Sequence, residues 1–98
     1  MSKKSSDSKI IYVGRKPPMN YVLAIVTAFS GSEVKEATVM ARGQSITTAV
    51  DAVEIARRKF VEEMIVDKVT IGTEEMPPRE GESNSRNIST IEITLKRS

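Results

Sequence analysis

The stretch Ile10-Ile11-Tyr12-Val13-Gly14-Arg15-Lys16-Pro17-Pro18-Met19-Asn20-Tyr21-Val22-Leu23-Ala24-Ile25-Val26-Thr27-Ala28-Phe29 decides the fold. Its first four residues are apolar and mostly β-branched, so they read as a buried strand. Gly14 turns the chain, and Pro17-Pro18 leads into an apolar segment of helical length with no charge between Lys16 and Glu33. The spacing predicts strand one over Lys9 to Val13 and helix one from about Pro18 to Ser30, with Gly31 as its C-terminal stop. Arg15 and Lys16 therefore sit in the turn between a strand and a helix.

The arrangement recurs further along. Ala37 to Ala41 is apolar enough for a central strand, and Ala41-Arg42-Gly43-Gln44-Ser45-Ile46 again places a cation beside a glycine before a helix. With Ser45 as N-cap, helix two runs to about Val61, and Ile46, Ala49, Val50, Val53, Arg57 and Phe60 fall on one face. Val66 to Thr73 reads as strand three. Ile88 to Lys96 reads as strand four, with Ile91, Ile93 and Leu95 alternating against Thr90, Glu92 and Thr94. The order is βαβαββ, an α/β domain in the two-layer α+β sense. Between the last strands, residues 74–87 carry Pro77-Pro78, Gly81 and a polar run, and are expected to form a protruding, mobile arm.

Composition narrows the rest. Ninety-eight residues, 39% of them apolar, suffice for one core, so residues 9–97 are expected to be a single domain behind a disordered basic tail at 1–8. The chain has neither cysteine nor histidine, which argues against disulfides, a zinc site and Cys/His nucleophilic catalysis, so no cofactor or metal is expected. No apolar run is long enough for a membrane span, and the N-terminus lacks the apolar segment of a secretory signal, so an intracellular, cytoplasmic location is expected. Net charge is only +2, yet it is segregated: cations dominate residues 1–16 and glutamates dominate 74–82.

Topology turns these segments into a surface. If both helices are right-handed crossovers between parallel strands, the two strand-to-helix turns and the arm leave the sheet at one carboxyl edge. Arg15, Lys16, Arg42 and Arg86 would then share one side of the molecule, suited to phosphate. Helix N-termini behind both turns would add backbone N–H donors. Each cation alone reads as ordinary solvated surface; their convergence carries the inference. Asn20 and Tyr21 lie one turn behind the first pair, where they could hydrogen-bond or stack, with packing the plainer role for Tyr21. Ile55 points away from the apolar stripe by 100-degree counting and, with Phe60, suggests a protein–protein contact.

Gly14-Arg15-Lys16-Pro17, Met19-Asn20-Tyr21-Val22, Ala41-Arg42-Gly43, Ala49 through Ile55, Arg57 through Phe60, Ile71-Gly72 and Ser89 through Ile93 together resemble the Alba family of small archaeal chromatin proteins. The resemblance implies a fold similar to the C-terminal domain of translation initiation factor 3 and a homodimer. It also implies binding of duplex DNA and RNA with little sequence preference, and side-by-side association of dimers on DNA. It assigns nucleic-acid contact to Arg15, Lys16, Asn20, Tyr21, Arg42, Gly43, Gln44 and Arg86, and a dimer–dimer contact to Ile55 and Phe60. The role for Phe60 conflicts with its core-facing position in the helical count.

Three departures qualify the resemblance. Arg15 stands where the family usually has a lysine open to acetylation, Gln44 where many members carry a base, and the arm holds Glu80 and Glu82. Weaker DNA binding than in a fully basic member, or a shift toward RNA, is the expected consequence. The leading expectation is a non-enzymatic, chromosome-associated protein of the nucleoid that coats and condenses DNA. The alternatives are an RNA-binding subunit of a ribonucleoprotein and an oligomerisation scaffold. Asp51, Glu54, Glu62 and Glu63 read as ordinary helical or linker surface without a partner base.

Overall fold

The computed structural model describes residues 8–31 and 34–98, so the N-terminal tail, Ser8 apart, lies outside the described residues. The elements are β1 (Ser8–Tyr12), α1 (Pro18–Ala28), β2 (Glu36–Arg42), α2 (Ser45–Lys59), β3 (Met64–Met76) and β4 (Arg86–Arg97). The sheet order is β1-β2-β4-β3. β1 and β2 run parallel, and β4 runs antiparallel to both β2 and β3. The βαβαββ order is as expected from the sequence, and both helices pack on one face of the sheet.

Strand alternation decides what that face buries. Ala37, Val39 and Ala41 of β2 stand opposite Leu95, Ile93 and Ile91 of β4, and all six are buried. α1 contributes Tyr21, Val22, Ile25 and Ala28, and α2 contributes Ala49, Ala52, Val53 and Ala56. The three alanines of α2 are fully buried, because small side chains let this helix approach its neighbours closely. α1 keeps an exposed strip of Met19, Asn20, Leu23 and Thr27, so its burial is one-sided despite its lack of charge. The far end is closed by Arg97, whose guanidinium lies 5.5 Å from the Phe29 ring centroid. It donates to the carbonyls of Phe29, Gly31 and Val34 and pairs with Glu63 at 3.1 Å.

Three expectations are corrected here. Residues 74–76 and 86–87, expected within the arm's loop, are paired strand, with Glu74 opposite Ile88 and Met76 opposite Arg86. The arm is therefore a two-stranded extension of the sheet that outruns β1 and β2. Helix two ends at Lys59, so Phe60 leaves the helical count and is 54% exposed, as is Val50 at 41%. Ile55, expected to point outward, is half-buried against the core.

β3 also carries an irregularity between Val66 and Lys68 that absorbs Asp67 as an extra residue. It keeps Val66, Val69 and Ile71 opposite Leu95, Ile93 and Ile91, on the helix side of the sheet. No helix among the described residues covers that row, and Ile71 is 78% exposed.

Candidate nucleic-acid interface

β1, β2 and β3 point the same way, so the turn after β1, the turn after β2 and the arm after β3 all emerge at one sheet edge. A chain of contacts joins them. Ser45 Oγ donates to the Gly14 carbonyl at 3.0 Å, linking the two strand-to-helix turns. Gly43 N–H donates to the Ser89 carbonyl at 2.9 Å, linking the second turn to β4. Arg42 Nη1 reaches Glu74 Oε1 at 2.7 Å and Met76 Sδ at 3.6 Å, linking that turn to the arm, where Met76 pairs with Arg86.

Each turn is held by its own sequence. Tyr21 is buried, and its hydroxyl accepts from the N–H groups of Gly14 at 2.9 Å and Lys16 at 3.1 Å. It fixes the loop that presents Arg15 and Lys16, which are both exposed. Tyr21 is thus a positioning residue, and its buried ring is closed to stacking. Gly43 adopts φ +59°, a left-handed conformation in which a side chain would be strained, and so lets the chain turn directly from Arg42 into α2.

Some of the backbone N–H groups near the cations are engaged within the fold. Those of Gly14, Lys16 and Gly43 are already used internally, Pro17 and Pro18 have none, and Asn20 N–H returns to the Pro17 carbonyl. Ser45, expected as N-cap, is the first residue of α2 instead, and its hydroxyl serves the tertiary link to Gly14.

Among the expected site residues, Asn20 and Gln44 are exposed beside the two turns. The Arg42 side chain is 53% exposed but shares its charge with Glu74, at 50% exposure. Arg86 is half-buried, and its Nε is buried without a hydrogen-bond partner. By strand register, Arg42, Glu74, Met76 and Arg86 lie on the helix-free face of the sheet. Ile55 and Phe60 belong to the other end of α2 and are not brought to this edge. Sequence reasoning missed Ser45 and Glu74 as determinants of the site; a serine and a glutamate carry no signal until the turns and the arm are juxtaposed. Among the described residues, no group of three His, Cys, Asp or Glu could hold a metal. No helix among them is long and apolar enough to cross a membrane.

A two-layer α+β domain with cationic turns and a hairpin arm at one sheet edge defines a small class of proteins. The chain belongs to the Alba family, whose model matches residues 9–73. It is 44% identical over 92 residues to the DNA/RNA-binding protein Alba of Picrophilus torridus, covering 94% of this chain and 99% of that one. It is 46% identical over 91 residues to the protein of the same name from Methanocella arvoryzae, covering 93% and 92%. Among solved structures, Alba from Thermoplasma volcanium superposes with a TM-score of 0.82 at 44% identity, over 90% of this chain and 99% of that one. Alba1 of Trypanosoma brucei shares the fold at a TM-score of 0.66 and 24% identity, over 98% of this chain and 73% of its own.

Proposed function

We propose that this chain is a non-enzymatic nucleic-acid-binding protein that coats and compacts duplex DNA without sequence preference, as a homodimer associated with the chromosome in the cytoplasm. The observation that carries this is the contact chain from Gly14 through Ser45, Gly43 and Arg42 to Glu74 and Arg86, which gathers three segments bearing four cations at one edge. Phosphate contact fits these residues, since no helix presents the Arg/Asn/Gln cluster that reads base edges in the major groove. The relatives named DNA/RNA-binding proteins support the same partner class, RNA included.

The homodimer is supported by the uncovered row of Val66, Val69 and Ile71 on the helix side of edge strand β3. An apolar row of this kind is suited to burial against a second copy. Phe60, exposed beyond α2, and the half-buried Ile55 are the proposed contact between neighbouring dimers on DNA.

With Arg15, Lys16, Arg42 and Arg86 of each protomer all free to engage, a dimer neutralises up to about eight phosphates, which sets a limit of about −7 for the slope of log affinity against log salt. Lys16→Glu is expected to weaken binding to unrelated duplexes alike. Equal affinity of wild type and Lys16→Glu at low salt would remove the basis for this function.

A further inference from the structure

We propose that Tyr12 is a stacking platform for an unpaired base whose backbone phosphate lies on Arg15 and Lys16, so that the same edge that takes duplex phosphates also takes single-stranded nucleic acid. The inference rests on the phosphate-binding role of the rim and adds a substrate class to it.

Tyr12 is 72% exposed, an unusual place for an aromatic ring in a protein with only four aromatic residues. Strand alternation explains how it is held. Ile11 packs against the core and Val13 is buried, so Tyr12 between them is turned to the helix-free face. Its strand neighbour in register is Met40, and the N–H of Val13 donates to the Met40 carbonyl at 2.9 Å, so the backbone under the ring is fixed.

The ring does not stand alone. Tyr12, Val13, Gly14, Arg15, Lys16 and Tyr21 together line an open depression of about 580 Å³. The Tyr21 hydroxyl accepts two N–H groups there and still has a proton to donate. An aromatic face, two cations and a fixed hydroxyl donor are the groups that hold a single nucleotide: stacking for the base, charge for the phosphate, a hydrogen bond for a polar edge. A base within a duplex is stacked on its neighbours and cannot offer its face to Tyr12, whereas an unpaired one can. The position also remains open in the proposed dimer, because β1 and β3 are opposite edges of the sheet.

The test compares wild type, Tyr12→Ala, Tyr12→Phe and Lys16→Glu for binding to a short oligouridine and to a duplex DNA of the same length at matched salt. Tyr12→Ala is expected to weaken oligouridine binding on the order of tenfold while changing duplex binding less than about twofold, and Tyr12→Phe to keep both affinities. The protein has two tyrosines and no tryptophan, and Tyr21 is buried, so tyrosine emission should be quenched as oligouridine binds. Most of that quenching should be lost in Tyr12→Phe although binding persists. Unchanged oligouridine affinity in Tyr12→Ala, equal losses on both nucleic acids, or no quenching in wild type would overturn the stacking role. If Lys16→Glu weakens both ligands while Tyr12→Ala weakens neither, only the stacking inference falls. If Lys16→Glu weakens neither, the rim itself is refuted, and this inference with it.

Discussion

Ser45 Oγ donates to the carbonyl oxygen of Gly14 at 3.0 Å, across 31 residues of sequence, and so fastens the turn that follows β2 to the turn that carries Arg15 and Lys16. A part-buried hydrogen bond of this kind contributes about 1 kcal/mol net. Ser45→Ala is expected to lower the Tm by about 4–8 °C per kcal/mol lost in a domain of this size, and to weaken duplex binding as well. Calorimetry and a duplex titration on the same preparation check both. An unchanged Tm with unchanged affinity would show the turns to be independent.

Glu74 is expected to compete with phosphate for Arg42. The pair is 2.7 Å long and about half exposed, so it contributes no more than about 1 kcal/mol and a phosphate can displace it. Glu74→Gln should release Arg42, raise duplex affinity at low salt and steepen the log–log salt slope by about 0.9 per protomer. A slope identical to wild type would mean that Arg42 already engages phosphate fully or does not engage it.

The uncovered row on β3 makes a prediction about assembly. Ile71 is 78% exposed in the protomer, so Ile71→Glu should leave the protomer folded while placing a charge in the proposed dimer contact. Sedimentation equilibrium is expected to report a monomer, with the salt slope roughly halved. A variant that sediments as a dimer would place the interface elsewhere.

Glu54 gives a pH dependence remote from the rim. Its carboxyl is held below the ordinary value of 4.5, first by the hydrogen bonds from Arg57 at 2.8 and 3.2 Å, with partial burial opposing and the charges of Arg57 and Arg58 assisting. Because the folded pKa is the lower one, the pair's contribution is complete above the unfolded value and is lost as pH falls through the folded one. Thermal unfolding across a pH series should show wild type above Glu54→Gln near neutrality and the two converging as the pH falls below the ordinary carboxyl value of 4.5. A gap that persists undiminished into strong acid would assign the effect to something other than the carboxylate.

Much of this architecture is legible in the chain because periodicity follows burial. The alternation of Ile91, Ile93 and Leu95 gives β4 and its buried face directly. The glycine-bearing turns after β1 and β2 locate the rim. The arm's strands were not legible, since Thr73-Glu74-Glu75 and Arg86-Asn87 have no apolar period and are strand only through mutual pairing. The face of α2 is legible in part: Ala49 and Val53 pack as the spacing predicts, but counting branched residues favours Val50 over Ala52 and Ala56, which are the ones buried. Ser45, Glu74 and Arg97 act across long stretches of sequence, so only the folded chain shows their partners.

The central claim is that one edge of the sheet, and not the molecule's cations at large, meets the phosphates. Covalent footprinting of lysines and arginines with and without a short duplex reads this directly. The account predicts protection of Arg15, Lys16, Arg42 and Arg86, while exposed Lys35, Arg58 and Lys59 at the opposite edge stay reactive. Protection concentrated on Arg58 and Lys59, with Arg15 and Lys16 still modified, would contradict it.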